Sequence, residues 1–142
     1  MKAYRLIISI LLIAPFISCT AQTAKKEARG SADNPEKIEA YYFHFTARCT
    51  TCLTIEAKAR ENLQNLYPGQ FKQGLITFQS VNLDESTSKP LAEKLGVSGQ
   101  TLLLVKGDQK INLTNEGFLY AVAKPDKFKD IINEKVDGLL TR

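Results

Sequence analysis

Strong charge of either sign is missing from this sequence. Nineteen Lys and Arg face fifteen Asp and Glu over 142 residues, a formal net charge of +4. Lys2 and Arg5 lie in a segment expected to be removed, which leaves 17 basic against 15 acidic residues, a net of +2. An excess so mild and so scattered gives no electrostatic footprint for nucleic acid. Internal repeats and long low-complexity tracts are also missing, and the length leaves no room for two ordinary domains. Apolar residues make up 44% and charged residues 24%, which excludes a disordered or fibrous chain. The longest apolar run, Leu6 to Ile17, is broken by Ser9 and Pro15 and is too short to span a bilayer comfortably. Tryptophan is lacking, histidine occurs once (His44), and cysteine occurs three times, at Cys19, Cys49 and Cys52.

The run Leu6 to Ile17, preceded by Lys2 and Arg5, has the length and flanks of a signal-peptide core. It ends in Phe16-Ile17-Ser18-Cys19, which resembles the lipobox of bacterial lipoproteins, although Phe16 stands where Leu is usual. That resemblance implies a signal peptide over 1–18, acylation of Cys19, and attachment to a membrane through the lipid. Thr20 after Cys19, in place of Asp, implies outer-membrane sorting in a Gram-negative cell. The alternative is cleavage near Ala21, giving a soluble secreted or periplasmic protein. Lipidation of Cys19 also settles the cysteine count, because it leaves a single close pair, Cys49 and Cys52.

Residues 19–36 are rich in Ala, Lys, Thr, Gly and Ser and read as a flexible tether, with a folded domain over 37–142. Ile38 to Thr46 is aromatic and almost continuously apolar, as in a strand buried on both faces. Thr50 to Leu66 repeats apolar residues at helical spacing through Cys52, Ile55, Ala59, Leu63 and Leu66, and Pro68-Gly69 stops it. Leu75 to Leu83 reads as a second strand, Ser86 to Leu95 as a short helix, and Thr101 to Val105 as a central strand. After the Gly107-Asp108 turn, Lys110 to Thr114 reads as an edge strand. Gly117 to Ala123 has the character of a short helical turn, and Pro125 to Leu140 of an amphipathic helix. The order β-α-β-α-β-β-α predicts an α/β fold with a four-stranded mixed sheet flanked by helices, its last two strands antiparallel.

Cys49 and Cys52 fall where the first strand gives way to the first helix. There the unpaired N–H groups and partial positive charge favour a thiolate. The i, i+3 spacing brings both sulfurs to one side of the first turn, within reach of a disulfide. Cys52 belongs to the buried stripe and Cys49 to the tip, so one sulfur is open to attack and the other sheltered. Arg48 adds a cation expected to hold the Cys49 thiol below the free value of about 8.5.

The strand-Cys-x-x-Cys-helix arrangement within this order of elements resembles the thioredoxin-like superfamily over Ile38 to Leu140. The resemblance implies a thiol-disulfide oxidoreductase with Cys49 as nucleophile and Cys52 as resolving residue, needing no cofactor. Its partners would be the dithiols or disulfides of exported proteins and an upstream electron carrier. The pattern departs from the family at several places. Arg48 replaces the Trp before the first Cys, Thr50-Thr51 replace Gly-Pro, and Phe43 replaces a buried acid. Gln100, just before Thr101, replaces a cis-proline. A cis bond before a non-proline residue costs about 3 kcal/mol, so a trans Gly99-Gln100 peptide is expected.

Other readings of the same residues are plainer. The Cys pair as a purely structural staple is disfavoured by the small loop it closes. A Cu(I) or Zn²⁺ site built from Cys49, Cys52 and His44 is the alternative chemistry, since thiolates are soft ligands. A scaffold without turnover is the third reading. His44 is expected as a hydrogen-bonded residue of the sheet, and Tyr41, Tyr42, Phe43 and Phe45 as core. Lys25-Lys26 and Lys124 to Lys129 are expected to be solvated surface.

Overall fold

The structure, a computed structural model, describes residues 37–141. The expected signal peptide and tether, and Cys19 with them, therefore lie outside the described residues. Four strands and five α-helices follow one another along the chain: β1 (Ile38–His44), α1 (Thr50–Leu66), α2 (Pro68–Lys72), β2 (Ile76–Asn82), α3 (Lys89–Leu95), β3 (Thr101–Lys106), β4 (Gln109–Asn112), α4 (Thr114–Tyr120) and α5 (Pro125–Leu140), with a 3-10 turn at Ser86–Ser88 before α3.

The sheet has the order β2-β1-β3-β4. β1 runs parallel to β2, with Ile38 opposite Ile76 and His44 opposite Asn82. β3 is antiparallel to β1 and β4 is antiparallel to β3. A parallel pair needs a long crossover, and α1 with α2 supplies it, whereas the Gly107 turn (φ 54°) suffices for the antiparallel one.

β1 is apolar on both faces because both faces are covered. Ile38, Ala40 and Tyr42 point into a core shared with Ile55, Ala59 and Leu63 of α1 and with Phe128, Ile132, Val136 and Leu139 of α5. Tyr41 and Phe43 point the other way, against Val81, Ala92, Leu95, Leu103 and Val105, under α3. The period of two along β1 thus assigns its neighbours. α5 has no side-chain bond at its N-cap. Its four inward side chains compensate. Burying each contributes about 2 kcal/mol, against about 1 for a good cap.

Several expectations are corrected in detail. β1 ends at His44, not Thr46, and Phe45 is 43% exposed and not in the core. Pro68 does end α1, but it also occupies the first turn of α2, where its missing N–H is no loss and its fixed φ fits. β4 ends at Asn112 because the Asn112 carboxamide oxygen turns back to accept from the Thr114 N–H at 2.9 Å and from the Thr114 hydroxyl at 2.6 Å. That turn launches α4 three residues earlier than the composition suggests. No helix among the described residues is long and apolar enough to cross a membrane.

α4 reaches α1 through a glycine. A Cβ on Gly117 would stand 2.9 Å from Ile55 Cγ2, and Ile55 is 1% exposed with no room to withdraw. Ala at a helical position gains up to about 1 kcal/mol over Gly, but overpacking costs about 1–3. Gly117→Ala is therefore expected to lower the unfolding free energy by about 1–2 kcal/mol in a urea titration. A neutral or stabilising result would show that α4 is not pressed against α1.

Candidate functional site

The site is the start of α1. Cys49 is its N-cap, with extended backbone (φ −79°, ψ 161°), and its sulfur accepts a hydrogen bond from the Cys52 N–H at 3.2 Å. A helix start leaves its first N–H groups without partners, and here a sulfur takes the place commonly filled by Ser or Asp. Cys49 and Cys52 are joined by a disulfide, with Cα atoms 5.1 Å apart. Cys49 is exposed, while Cys52 is 5% exposed and packs with the buried face of α1. The first turn of α1 contains no acidic residue to offset its partial positive charge. Reduction would therefore yield one accessible sulfur facing N–H donors and one shielded sulfur beside it.

Thr50 and Thr51 open α1, and the Thr50 carbonyl accepts from the Thr54 hydroxyl at 3.0 Å. Neither threonine takes over the role of Cys49 as cap. Gln100 stands in the loop before β3, and its peptide is trans, as are all those described. Its carboxamide Nε2 donates to the Tyr42 hydroxyl, tying the loop to the central strand. Burial pushes the Tyr42 phenol above its ordinary value of 10.0, outweighing the Gln100 bond and the nearby Arg48 charge, so the hydroxyl stays protonated at neutral pH. Thr101 opens β3, and its hydroxyl donates to the Gly99 carbonyl at 3.0 Å.

Arg48 behaves differently from the free cation read in the sequence. Its guanidinium is ion-paired with Glu56 Oε2 in the second turn of α1. Arg60 binds the other oxygen, Oε1, at 3.2 Å. Glu56 was not singled out by motif, yet it lies seven residues after Cys49 and four after Cys52, so helical spacing alone places it on the cysteines' side. Burial raises its carboxyl, but hydrogen bonds from Ser80 and Arg48 and the charges of Arg48 and Arg60 outweigh burial and hold it below 4.5.

His44 is half-buried at the end of β1. Its Nε2 lies 2.9 Å from the Ser80 hydroxyl and its Nδ1 2.8 Å from the Phe45 carbonyl. A carbonyl only accepts, so Nδ1 carries a proton. Both ring nitrogens are thus engaged within the sheet, and no group of three metal-ligating side chains exists among the described residues. The structure does not gather Cys49, Cys52 and His44 into a ligand set.

No family model matches the chain, and no curated protein does. Among solved structures, thioredoxin O2 from Arabidopsis thaliana in its oxidised state is 24% identical, with 72% of this chain and 78% of that one covered, at a TM-score of 0.47. A malarial protein is 27% identical over 52% of this chain and 74% of its own, at a TM-score of 0.37.

The carboxyl of Glu56 gives a signed pH dependence. A depressed folded value contributes stability that is fully present above the unfolded value of 4.5 and is lost as pH falls through the lower folded one. Asp84, lowered by the Thr46 N–H at 2.7 Å, titrates in the same direction. Urea midpoints at pH 6 and pH 3 should therefore fall with acid, and fall less in Glu56→Gln. Equal losses in both proteins would remove Glu56 from the account. The α/β chain, with sheet order β2-β1-β3-β4, helices on both faces and a Cys-x-x-Cys at the start of α1, has the four-stranded mixed-sheet architecture that the resemblance in its sequence implied.

Proposed function

We propose that the protein is a thiol-disulfide oxidoreductase acting on exported proteins through Cys49 and Cys52, tethered by lipid on Cys19 to the periplasmic face of the outer membrane. One observation carries the chemistry: an exposed sulfur that caps a helix, bonded to a buried sulfur three residues on. The position is right for exchange because a thiolate at Cys49 would keep the Cys52 N–H as its donor.

In the reducing direction the Cys49 thiolate attacks one sulfur of a client disulfide. A bond forms between Cys49 Sγ and that sulfur, and the other client sulfur leaves as a thiolate. Cys52 then gives up its proton to the departed thiolate and attacks Cys49 Sγ, which releases the second client sulfur. The client gains two electrons and the Cys49–Cys52 pair loses two. An upstream dithiol restores the pair by the same steps. The oxidising direction is the reverse sequence, and the relative reduction potentials of the pair and its clients choose between them.

The lipid anchor and the exported clients follow from the lipobox-like Phe16-Ile17-Ser18-Cys19 and belong to this reading as a whole. A Cys52→Ser protein expressed with its leader should accumulate mixed disulfides with exported proteins, visible as species that collapse on adding dithiothreitol. Cys49→Ser should form none, and should lose at least about a hundredfold of insulin-reducing activity, since it removes the attacking sulfur. Equal trapping by both variants would refute the assignment of roles. Cys19→Ala should shift the protein from the membrane to the soluble fraction; persistence in the membrane fraction would refute the anchor.

A further inference from the structure

The oxidised pair carries no charge, whereas the reduced pair carries a thiolate at Cys49. Any fixed charge near that sulfur therefore changes the energy of the reduced state only. A cation favours the dithiol form and makes the pair more oxidising; an anion does the opposite. Arg48, adjacent to Cys49, would be such a cation if its guanidinium were free.

It is not free. Arg48 reaches along α1 to Glu56, and both side chains are largely shielded, at 21% and 13% exposure. Shielding matters here, because a pair on open surface would be screened to little effect. Glu56 is itself held from several sides. Arg60 binds Oε1 from the next turn of α1, and the Ser80 hydroxyl on β2 helps favour the charged carboxylate. Ser80 is fixed in turn by His44 at the end of β1. Tyr42, protonated and tied to Gln100, lies in the field of both partners. The carboxylate is thus a fixed post, and the guanidinium is the element that has come to it.

We propose that Glu56 is a positioning residue for the Cys49–Cys52 couple, drawing the Arg48 guanidinium along α1 and neutralising it so that the pair is less oxidising than Arg48 alone would make it. This rests on the redox reading above and deepens it. The two side chains form one setting: a cation and an anion whose effects on the thiolate largely cancel. Removing either partner unmasks the other, and removing both restores the parent's charge balance. Arg60 remains on Glu56 when Arg48 is lost, so the unmasked anion is partly offset while the unmasked cation is not.

The test is equilibration of the full-length protein with glutathione. In that reaction the two cysteines lose two electrons and two protons to one glutathione disulfide, which becomes two glutathiones. Glu56→Gln is expected to shift the equilibrium toward the dithiol by at least about threefold, or about 14 mV at 29.6 mV per tenfold. Arg48→Met should shift it toward the disulfide by a smaller factor, and the double variant should return to within about twofold of the parent. Iodoacetamide alkylation of reduced Cys49 at pH 7 should follow the same pattern, fastest in Glu56→Gln. A loss of packing would not give shifts of opposite sign that cancel. Should Glu56→Gln fold poorly, Arg48→Met carries the test through its own sign. A couple that equilibrates normally but ignores both substitutions, or moves the same way in each, overturns this proposal alone. A parent pair that never equilibrates with glutathione overturns the redox reading with it.

Discussion

The first free N–H groups of α1 must find acceptors, and at Cys52 the acceptor is the sulfur of Cys49. Much of the site's character depends on this bond. It fixes Cys49 in an extended conformation at the tip, outside the helix, and it aims Cys52 inward as the first residue of the buried stripe. Exposure of one sulfur and burial of the other are consequences of where a helix begins. β1 supplies the other half of the constraint. It is buried on both faces and stops at His44, so the turn into α1 comes at the end of the central layer of the molecule.

The departures from the thioredoxin-like pattern are coherent once the neighbours are known. Phe43 stands where the resemblance implies a buried acid, and its side chain is fully buried in the apolar cluster with Tyr41, Val81 and Leu103, on the face under α3. Polar groups near the cysteines are found instead on the opposite face, where Glu56 of α1 pairs with Arg48 and Ser80 of β2 bonds His44 at the end of β1. At Gln100 a proline's rigidity is replaced by a hydrogen bond to Tyr42, which ties the loop before β3 to the strand before the cysteines.

Much of this was legible in the sequence, for physical reasons that can be named. The apolar run of β1, the helical spacing of Cys52, Ile55, Ala59 and Leu63, and the glycine at position 107 each carry a period or a backbone requirement that local sequence expresses. The start of α4 was hidden because it depends on Asn112 bending back to Thr114, a side-chain choice that competes with continuing the strand. Phe45 is an aromatic beside β1 and has the look of core until the strand's end at His44 is known. Glu56 carries no motif of its own: its importance lies in pairing with Arg48, which sits outside the helix and off the i+4 spacing that joins Glu56 to Arg60. Arg48 is legible as a cation, but local sequence does not express its pairing with Glu56.

The disulfide spans three residues within one helical turn, while the cohesion of the domain comes from elsewhere, chiefly the meeting of Phe128, Ile132 and Val136 with Ile38, Ala40 and Ile55. A cross-link over so short a segment restricts the unfolded chain very little. Opening and closing it need not disturb the architecture around it. The bond can be spent and remade in repeated cycles by a body that stays folded throughout, which suits a reagent better than a rivet.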